Sequence, residues 1–439
     1  MTAARGMYGL VAAACLFRLA LSSMGLEDVL VYRNELATPL TSWTRLKEGH
    51  FLATRLGQNP YDGGSFHHAP LLLLLGPLTG DSKIARYGTH IVWLLCDIAT
   101  ASGIAAIATR RKRALDSESG EQIWSSVASA SIYLLHPFTI ATSLAKSTTV
   151  FGNAIVVWSI ATALEGTKSY KFSSLPPNLT YHGIYAGSLV PACFLLSLAT
   201  HVSMYPALLL PPLVLVAQQS SATNMRKAAL MGTVAFMAHQ AAVLCLSRWT
   251  TGSWSFVDSV YKVALTVPDL TPTIGLAWYF FIEMFDHFRA FFVGVFQLHV
   301  LIHVAPLTYA FRRDPLFAIV LLVGVIAIFK SYPSLGDFGL WHGLLATYSE
   351  MATHLTRPLF LVCLMVYPLF LLPTFHHLWL YSGSGNANFF YASTLVWTIS
   401  QIMILIDVLH VAFKRSVLKE LSAEGRLKVK QGRWKIVQR

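Results

Sequence analysis

The chain has 439 residues, of which 54% are hydrophobic and 12% charged, and it carries a formal net charge of +12. So much apolar side chain exceeds what one soluble domain of this length needs to bury, which excludes a soluble globular protein and makes the chain an integral membrane protein. The basic excess does not indicate nucleic acid, because Lys and Arg fall in short clusters between apolar runs, as in loops beside anionic lipid.

In chain order, apolar windows near the roughly 20 residues that a spanning helix needs predict helices near 7–24, 84–109, 124–143, 148–166, 183–200 and 202–217. Six more follow near 228–248, 287–307, 315–330, 334–350, 357–373 and 388–411. The fold class is all-α: a polytopic integral membrane protein with about 12 transmembrane helices. One transmembrane domain covers 1–411, and a basic tail covers 412–439. Arg18 interrupts the first apolar run and no small-x-small cleavage site follows cleanly, so that run reads as a retained helix rather than a signal peptide. Pro70–Pro77 is too short to span and is bracketed by prolines, which makes 69–79 an interfacial segment. The five cysteines lie singly in apolar segments and read as small buried hydrophobes, neither disulfides nor metal ligands.

A cytoplasmic amino terminus satisfies the bias of Lys and Arg toward the cytoplasmic side. It places Arg110–Arg113, Lys168 with Lys171, Arg226 with Lys227, Arg312 with Arg313, Arg357 and the tail there, so both termini are cytoplasmic. The loops 27–68, 146–147, 249–286 and 374–386 become luminal. The sequon at Asn178 is then cytoplasmic and should carry no glycan. Asp97, Lys146, His299, His303 and Asp407 lie within or beside membrane segments, where helix–helix pairing is expected to hold them.

Two stretches stand out chemically. In VPDLTPTIGLAWYFFIEMFDHFRAFF (Val267–Phe292), Pro268, Asp269 and Pro272 fix a turn. Trp278, Tyr279, Phe280, Phe281 and Phe285 then gather as a membrane-surface aromatic belt would, with Glu283 and Asp286 three apart on one helical face. In Ser382–Asn388, small residues let backbone approach a ligand closely, and the amides of Asn386 and Asn388 suit a neutral polyol. Asn386 equally suits a helix N-cap before Phe389.

Together with AIFKSYPSLGD (Ala327–Asp337), HLWLYSGSGNANFFYA (His377–Ala392) and YLLHPFTIATSLAKST (Tyr133–Thr148), the first of these stretches resembles the PIG-U family. That family is the polytopic subunit of the GPI transamidase, which attaches glycosylphosphatidylinositol anchors to proteins in the endoplasmic reticulum. The resemblance implies a non-catalytic subunit in the endoplasmic reticulum membrane that works without a cofactor of its own. Its partners would be a cysteine-protease-like catalytic subunit, luminal and membrane accessory subunits, the GPI glycolipid and membrane lipids. It implies that Asn386, Asn388, Ser384, Glu283, Asp286, Phe285 and Trp278 bind the GPI glycolipid, with its alkyl chains along Phe288–Val300.

The segment from Gln58–Asn59–Pro60–Tyr61 to Phe66–His67–His68–Ala69–Pro70–Leu71–Leu72 is also similar to the first luminal loop of GT-C mannosyltransferases, and Asp97 is similar to an acid of their second helix. Where those enzymes carry Asp-x-Asp, this chain reads Tyr32-Arg33-Asn34-Glu35-Leu36, and Arg33 should hold Glu35 as an ion pair. A GT-C-like arrangement without its catalytic acid is expected, with Glu27 and Asp28 as a minor candidate pair. The alternatives are an active dolichol-phosphate-mannose-dependent GPI mannosyltransferase, which needs a luminal acidic pair, and a polar-solute transporter, which should show internal repeats. No cysteine is luminal, and Thr89–His90 and Thr200–His201 are neighbours in sequence only, so a transamidase nucleophile is expected on a partner chain.

Overall fold

A computed structural model describes residues 2–116, 124–165, 188–221 and 224–421, and among the described residues there is no strand. They fall into two compact units, the first ending at Thr347 and the second beginning at Tyr348. The first unit begins with α1 (Thr2–Ser23), α2 (Leu26–Leu30), α3 (Trp43–Arg55), a 3-10 segment over Pro70–Thr79, and α4 (Lys83–Asp116). Next come α5 (Ser126–Leu134), α6 (Pro137–Leu144), α7 (Thr149–Ala163), α8 (Leu189–Val202), α9 (Leu210–Ser221) and α10 (Met225–Thr251). It ends with α11 (Val263–Thr266), α12 (Ala277–Ile282), α13 (Asp286–Leu301), α14 (Val304–Ala310), α15 (Pro315–Phe329) and α16 (Leu335–Leu345). The second unit holds α17 (Ser349–Ala352), α18 (Pro358–Leu380) and α19 (Ala387–Glu420).

The all-helical, multi-pass architecture is as expected, but the count of spans differs. Six described helical stretches are long and apolar enough to cross a membrane: Gly6–Ser23, Lys83–Arg113, Met225–Thr251, Asp286–Ala310, Pro358–Leu380 and Ala387–Leu418. A seventh arises if α5 and α6, bent by 50° at Leu135–His136, form one broken span. Helices occupy the other windows, but α7, α8, α9, α15 and α16 have only 15, 14, 12, 15 and 11 residues. At 1.5 Å per residue none reaches the ~30 Å of a hydrocarbon core. A hydropathy window does not register the interruptions, such as Pro206 in a 3-10 turn before α9 or Pro333 between α15 and α16. Lys168, Lys171 and Asn178 lie outside the described residues.

The long helices expose apolar side chains, among them Leu230, Val234 and Met237 on α10 and Phe291 and Leu298 on α13. In water this would be an aggregation surface, whereas against lipid it is the stable arrangement. The same reason corrects the reading of the cysteines. Cys193 is buried, but Cys245 and Cys363 are exposed on span helices, where a small thiol needs no protein cover. The short α15 is apolar all round and almost wholly buried, so it is an interior helix of the first unit.

Its neighbour α16 packs unusually closely. A Cβ at Gly336, Gly339 or Gly343 would lie 2.8 Å from Thr142 Cγ2, Thr139 Oγ1 or Tyr133 Cβ respectively. This stripe of glycines therefore brings α16 onto α5 and α6 and joins the Tyr133–Thr148 stretch to the end of Ala327–Asp337 and the residues that follow it. Gly339→Val is expected to push the helices apart and lower the melting temperature of the purified protein, by the ~1–3 kcal/mol usual for overpacking. An unchanged melting temperature would show that α16 can move away without loss.

Candidate functional site

Three of the motif stretches meet in the first unit. The turn at Asp269 forms as expected, with Asp269 Oδ1 accepting from the Thr271 amide at 3.0 Å and the Thr271 hydroxyl at 2.5 Å. Its other oxygen pairs with Arg45 Nη1 at 2.8 Å, and its carbonyl accepts from the Tyr332 hydroxyl at 2.9 Å. Burial pushes the Asp269 carboxyl up, but Thr271 and Arg45 outweigh it and hold it below the usual range. Just before the turn, Val267 sits at φ 51°, a left-handed conformation costly for a β-branched residue, and Arg289 Nη2 donates to its carbonyl at 2.6 Å.

The first loop is stitched to the same region. His67 Nδ1 lies 2.8 Å from the Ser259 carbonyl, and His68 Nε2 lies 2.8 Å from the Ser42 carbonyl. Burial pushes the His68 imidazole down to about 4 and lowers that of His67. The unfolded chain therefore takes up protons near pH 6.5 that the fold refuses until about pH 4, and stability falls as pH drops through that window. Asp269 adds to the loss at the acidic end, because its stabilising charge disappears as pH falls through its lowered pKa. A thermal melting series should show this decline, with a shallower slope in His68→Gln. Equal slopes would show that His68 is accessible.

The expected Arg33–Glu35 pair is present and two-pronged. Arg33 Nε donates to Glu35 Oε2 at 3.1 Å and Nη2 to Oε1 at 2.6 Å, and Glu35 is 4% exposed. The Leu335 amide donates to the Glu35 carbonyl at 2.9 Å, fixing this acid against the start of α16. Glu27 and Asp28 do not act together. Glu27 Oε2 is held by Ser22 Oγ at 3.1 Å, His90 Nε2 at 3.1 Å and Lys146 Nζ at 3.6 Å, whereas Asp28 is exposed.

Asp97 is fully buried on α4, where Arg18 Nη2 of α1 donates to it at 3.1 Å and the Tyr133 hydroxyl of α5 at 3.4 Å. In the second unit Asp407 accepts from the Thr356 amide at 3.0 Å and from its hydroxyl. The helix–helix pairing expected of polar groups at membrane depth is met at Asp97, whereas Lys146, in the turn after α6, pairs with Glu27 and Asp407 is held by Thr356 of the segment before α18. His303 Nδ1, at the junction of α13 and α14, lies 2.7 Å from the His299 carbonyl near the end of α13.

A cavity of about 100 Å³ lies among α7, the end of α8, the end of α15 and α16. Thr41, Thr148, Lys330 and Asp337 line it together with Val156 and Val323, and Lys330 Nζ is 2.7 Å from Asp337 Oδ1. Neither this cavity nor the part played by Arg45 was legible in the sequence, because each is assembled from segments far apart in the chain. The structure also brings together Ser247, His201 and Tyr261. His201 Nε2 lies 3.1 Å from Ser247 Oγ and Nδ1 lies 2.7 Å from the Tyr261 hydroxyl. The third member is a phenol that burial keeps protonated, so it offers no anion to stabilise an imidazolium, and the trio reads as a helix tie.

The glycolipid candidates are placed as follows. Trp278 is 2% exposed and Phe281 is likewise buried, packed against Phe280 and Phe296. Trp278 and Phe281 are thus core rather than surface belt, while Tyr279 and Phe280 are half-buried. Glu283 and Asp286 do not share a helical face, because α12 ends at Ile282, Glu283 is its C-cap and Asp286 opens α13. Glu283, Phe285 and Asp286 are all exposed. In the second unit, Leu378 O accepts from the Ser384 and Gly385 amides, both at 3.0 Å, with Gly383 at φ 62°. Asn386 then caps α19, its Oδ1 accepting from the Asn388 amide at 3.1 Å, and Ser384, Asn386 and Asn388 are exposed.

A sequence model of the family described as GPI transamidase subunit PIG-U matches residues 12–397. The chain belongs to the PIG-U family. It is 32% identical over 425 residues to the GPI-anchor transamidase component PIGU of Homo sapiens, covering 91% of each chain. It is 29% identical over 404 residues to the GPI transamidase component GAB1 of Saccharomyces cerevisiae, covering 91% of this chain and 92% of that one. The PIG-U match takes in the Asp269 turn, the Lys330–Asp337 pair and the Asn386 cap, and so includes residues of both units.

Proposed function

We propose that this PIG-U chain is a non-catalytic subunit of the GPI transamidase in the endoplasmic reticulum membrane. It binds the GPI glycolipid and presents it for attachment to the carboxyl terminus of precursor proteins. The family match over nearly the whole chain carries this reading. The grip of Arg33 on Glu35 agrees with it, since the carboxylate at the place of a transferase's acidic pair is already neutralised. A cysteine-protease-like partner supplies the nucleophile, alongside luminal and membrane accessory subunits.

The glycan meets the turn at Ser384, Asn386 and Asn388. Supporting this, the cap occupies only the carbonyl oxygen of Asn386, so its amide nitrogen remains able to donate to a polyol. Glu283, Phe285 and Asp286 offer a second exposed polar set, and the exposed Phe288 and Phe291 on α13 offer apolar surface for alkyl chains. Trp278 is buried and adds no exposed surface to this set. Both termini face the cytoplasm, as the distribution of Lys and Arg favours.

Expressed in cells that lack the endogenous subunit, the chain should restore surface GPI-anchored proteins and co-purify with the other transamidase chains. Rescue of a GPI-mannosylation defect without such co-purification would overturn the reading.

A further inference from the structure

We infer that the second unit binds an anionic membrane phospholipid in a groove between the start of α18 and the C-terminal part of α19. The groove has a volume of about 520 Å³, and Phe360, Met403, Ile406 and Phe413 give it an apolar lining. Both helices are long and apolar enough to cross a membrane, so acyl chains are the apolar material available to fill it.

The polar lining decides which lipid. Arg357, His410 and Asp407 all border the groove. Asp407 is buried, and its two oxygens accept from the amide and the hydroxyl of Thr356, so its single negative charge is partly satisfied within the protein. Arg357 is exposed, and its guanidinium has no hydrogen-bond or ion-pair partner among the described residues. Lys414 lies four residues beyond His410, on the same face of α19, and adds a second positive charge. A planar guanidinium at the end of a membrane span, beside an apolar groove, is shaped to take two oxygens of a phosphodiester while the chains lie along the helices. A zwitterionic headgroup carries its own cation, so the net positive rim selects a headgroup with none.

This place is not the glycan turn. From Ala387 to His410 along α19 the rise is roughly 35 Å, at 1.5 Å per residue, about the thickness of a bilayer. The groove therefore lies at the opposite membrane surface from Asn386, and the inference stands whether or not that turn holds the glycolipid.

The transamidase complex would be reconstituted in nanodiscs of phosphatidylcholine with a minor share of phosphatidylinositol, re-extracted in mild detergent, and its retained lipids quantified by mass spectrometry. Phosphatidylinositol should be enriched over its share in the disc. Arg357→Gln should lower that retention about fivefold, the equivalent of the ~1 kcal/mol that one basic residue contributes at an anionic surface. Met403→Trp, which fills the groove without touching charge, should lower it as well. Arg55→Gln, an equal change of charge on an exposed residue of the first unit, should have no effect. Retention unchanged in Arg357→Gln, or lowered as much in Arg55→Gln, would overturn the site.

Discussion

Replacing Arg18 by Ala should destabilise the first unit by about 3–5 kcal/mol, the cost of removing one partner from a buried ion pair. Arg18 and Asp97 have 6% and 0% of their side-chain surfaces exposed, and the 3.1 Å contact between them joins α1 to α4. The same guanidinium donates to the Leu134 carbonyl at 3.0 Å, at the end of α5 just before the bend into α6. Its loss leaves Asp97 without its cation at membrane depth and Leu134 O without this donor. The pair itself adds little net stability over an apolar contact, so Arg18→Met with Asp97→Leu should recover most of the loss. The exposed Lys262–Asp258 pair makes a control, since both side chains are more than half exposed and its removal should cost only a few tenths of a kcal/mol. Thermal melting and yield of the three variants in detergent test this. A normal melting temperature in Arg18→Ala together with lost anchor attachment would make Asp97 a functional acid instead of a strut.

What could be read from the sequence was local. Arg33 and Glu35 are two residues apart, Asp269 and Thr271 close a turn within the same short segment, and Asn386 caps a helix that begins at the next residue. Each depends on near neighbours, so composition and spacing suffice. The aromatic run from Trp278 was not legible in the same way, because a membrane belt and a packed core ask for the same residues. Which of the two forms is decided by α13, whose Phe292 and Phe296 come to rest on Phe280. The break between Glu283 and Asp286 escaped for a related reason, since nothing there is a proline or glycine and the apolar run continues across it. Asp286 in the first turn of α13 is the one local hint, being placed where a carboxylate stabilises a helix start. The count of spans was least legible, because interior helices such as α15 are as apolar as spanning ones and differ only in length.

Replacing Asn386 and Asn388 together by Ala should weaken use of the GPI glycolipid while the complex still assembles. Each neutral amide contact is worth roughly 0.5–1.5 kcal/mol net. Losing two should therefore cost on the order of 1–3 kcal/mol in glycolipid affinity, about 5- to 150-fold. The cap that Asn386 makes to the Asn388 amide complicates the double variant, since a lost N-cap costs about 1 kcal/mol of stability by itself. Asn386→Ser separates the two effects, because Ser caps nearly as well but lacks the amide nitrogen that would donate to a polyol. Anchor attachment in knockout cells and thermal melting of the purified complex are then read together across Asn386→Ser, Asn388→Ala and the double variant. A drop in attachment in Asn386→Ser at unchanged melting places the glycan on this turn. If attachment follows melting in all three, and higher expression restores it, Asn386 is the cap of α19 alone and the glycolipid is held elsewhere.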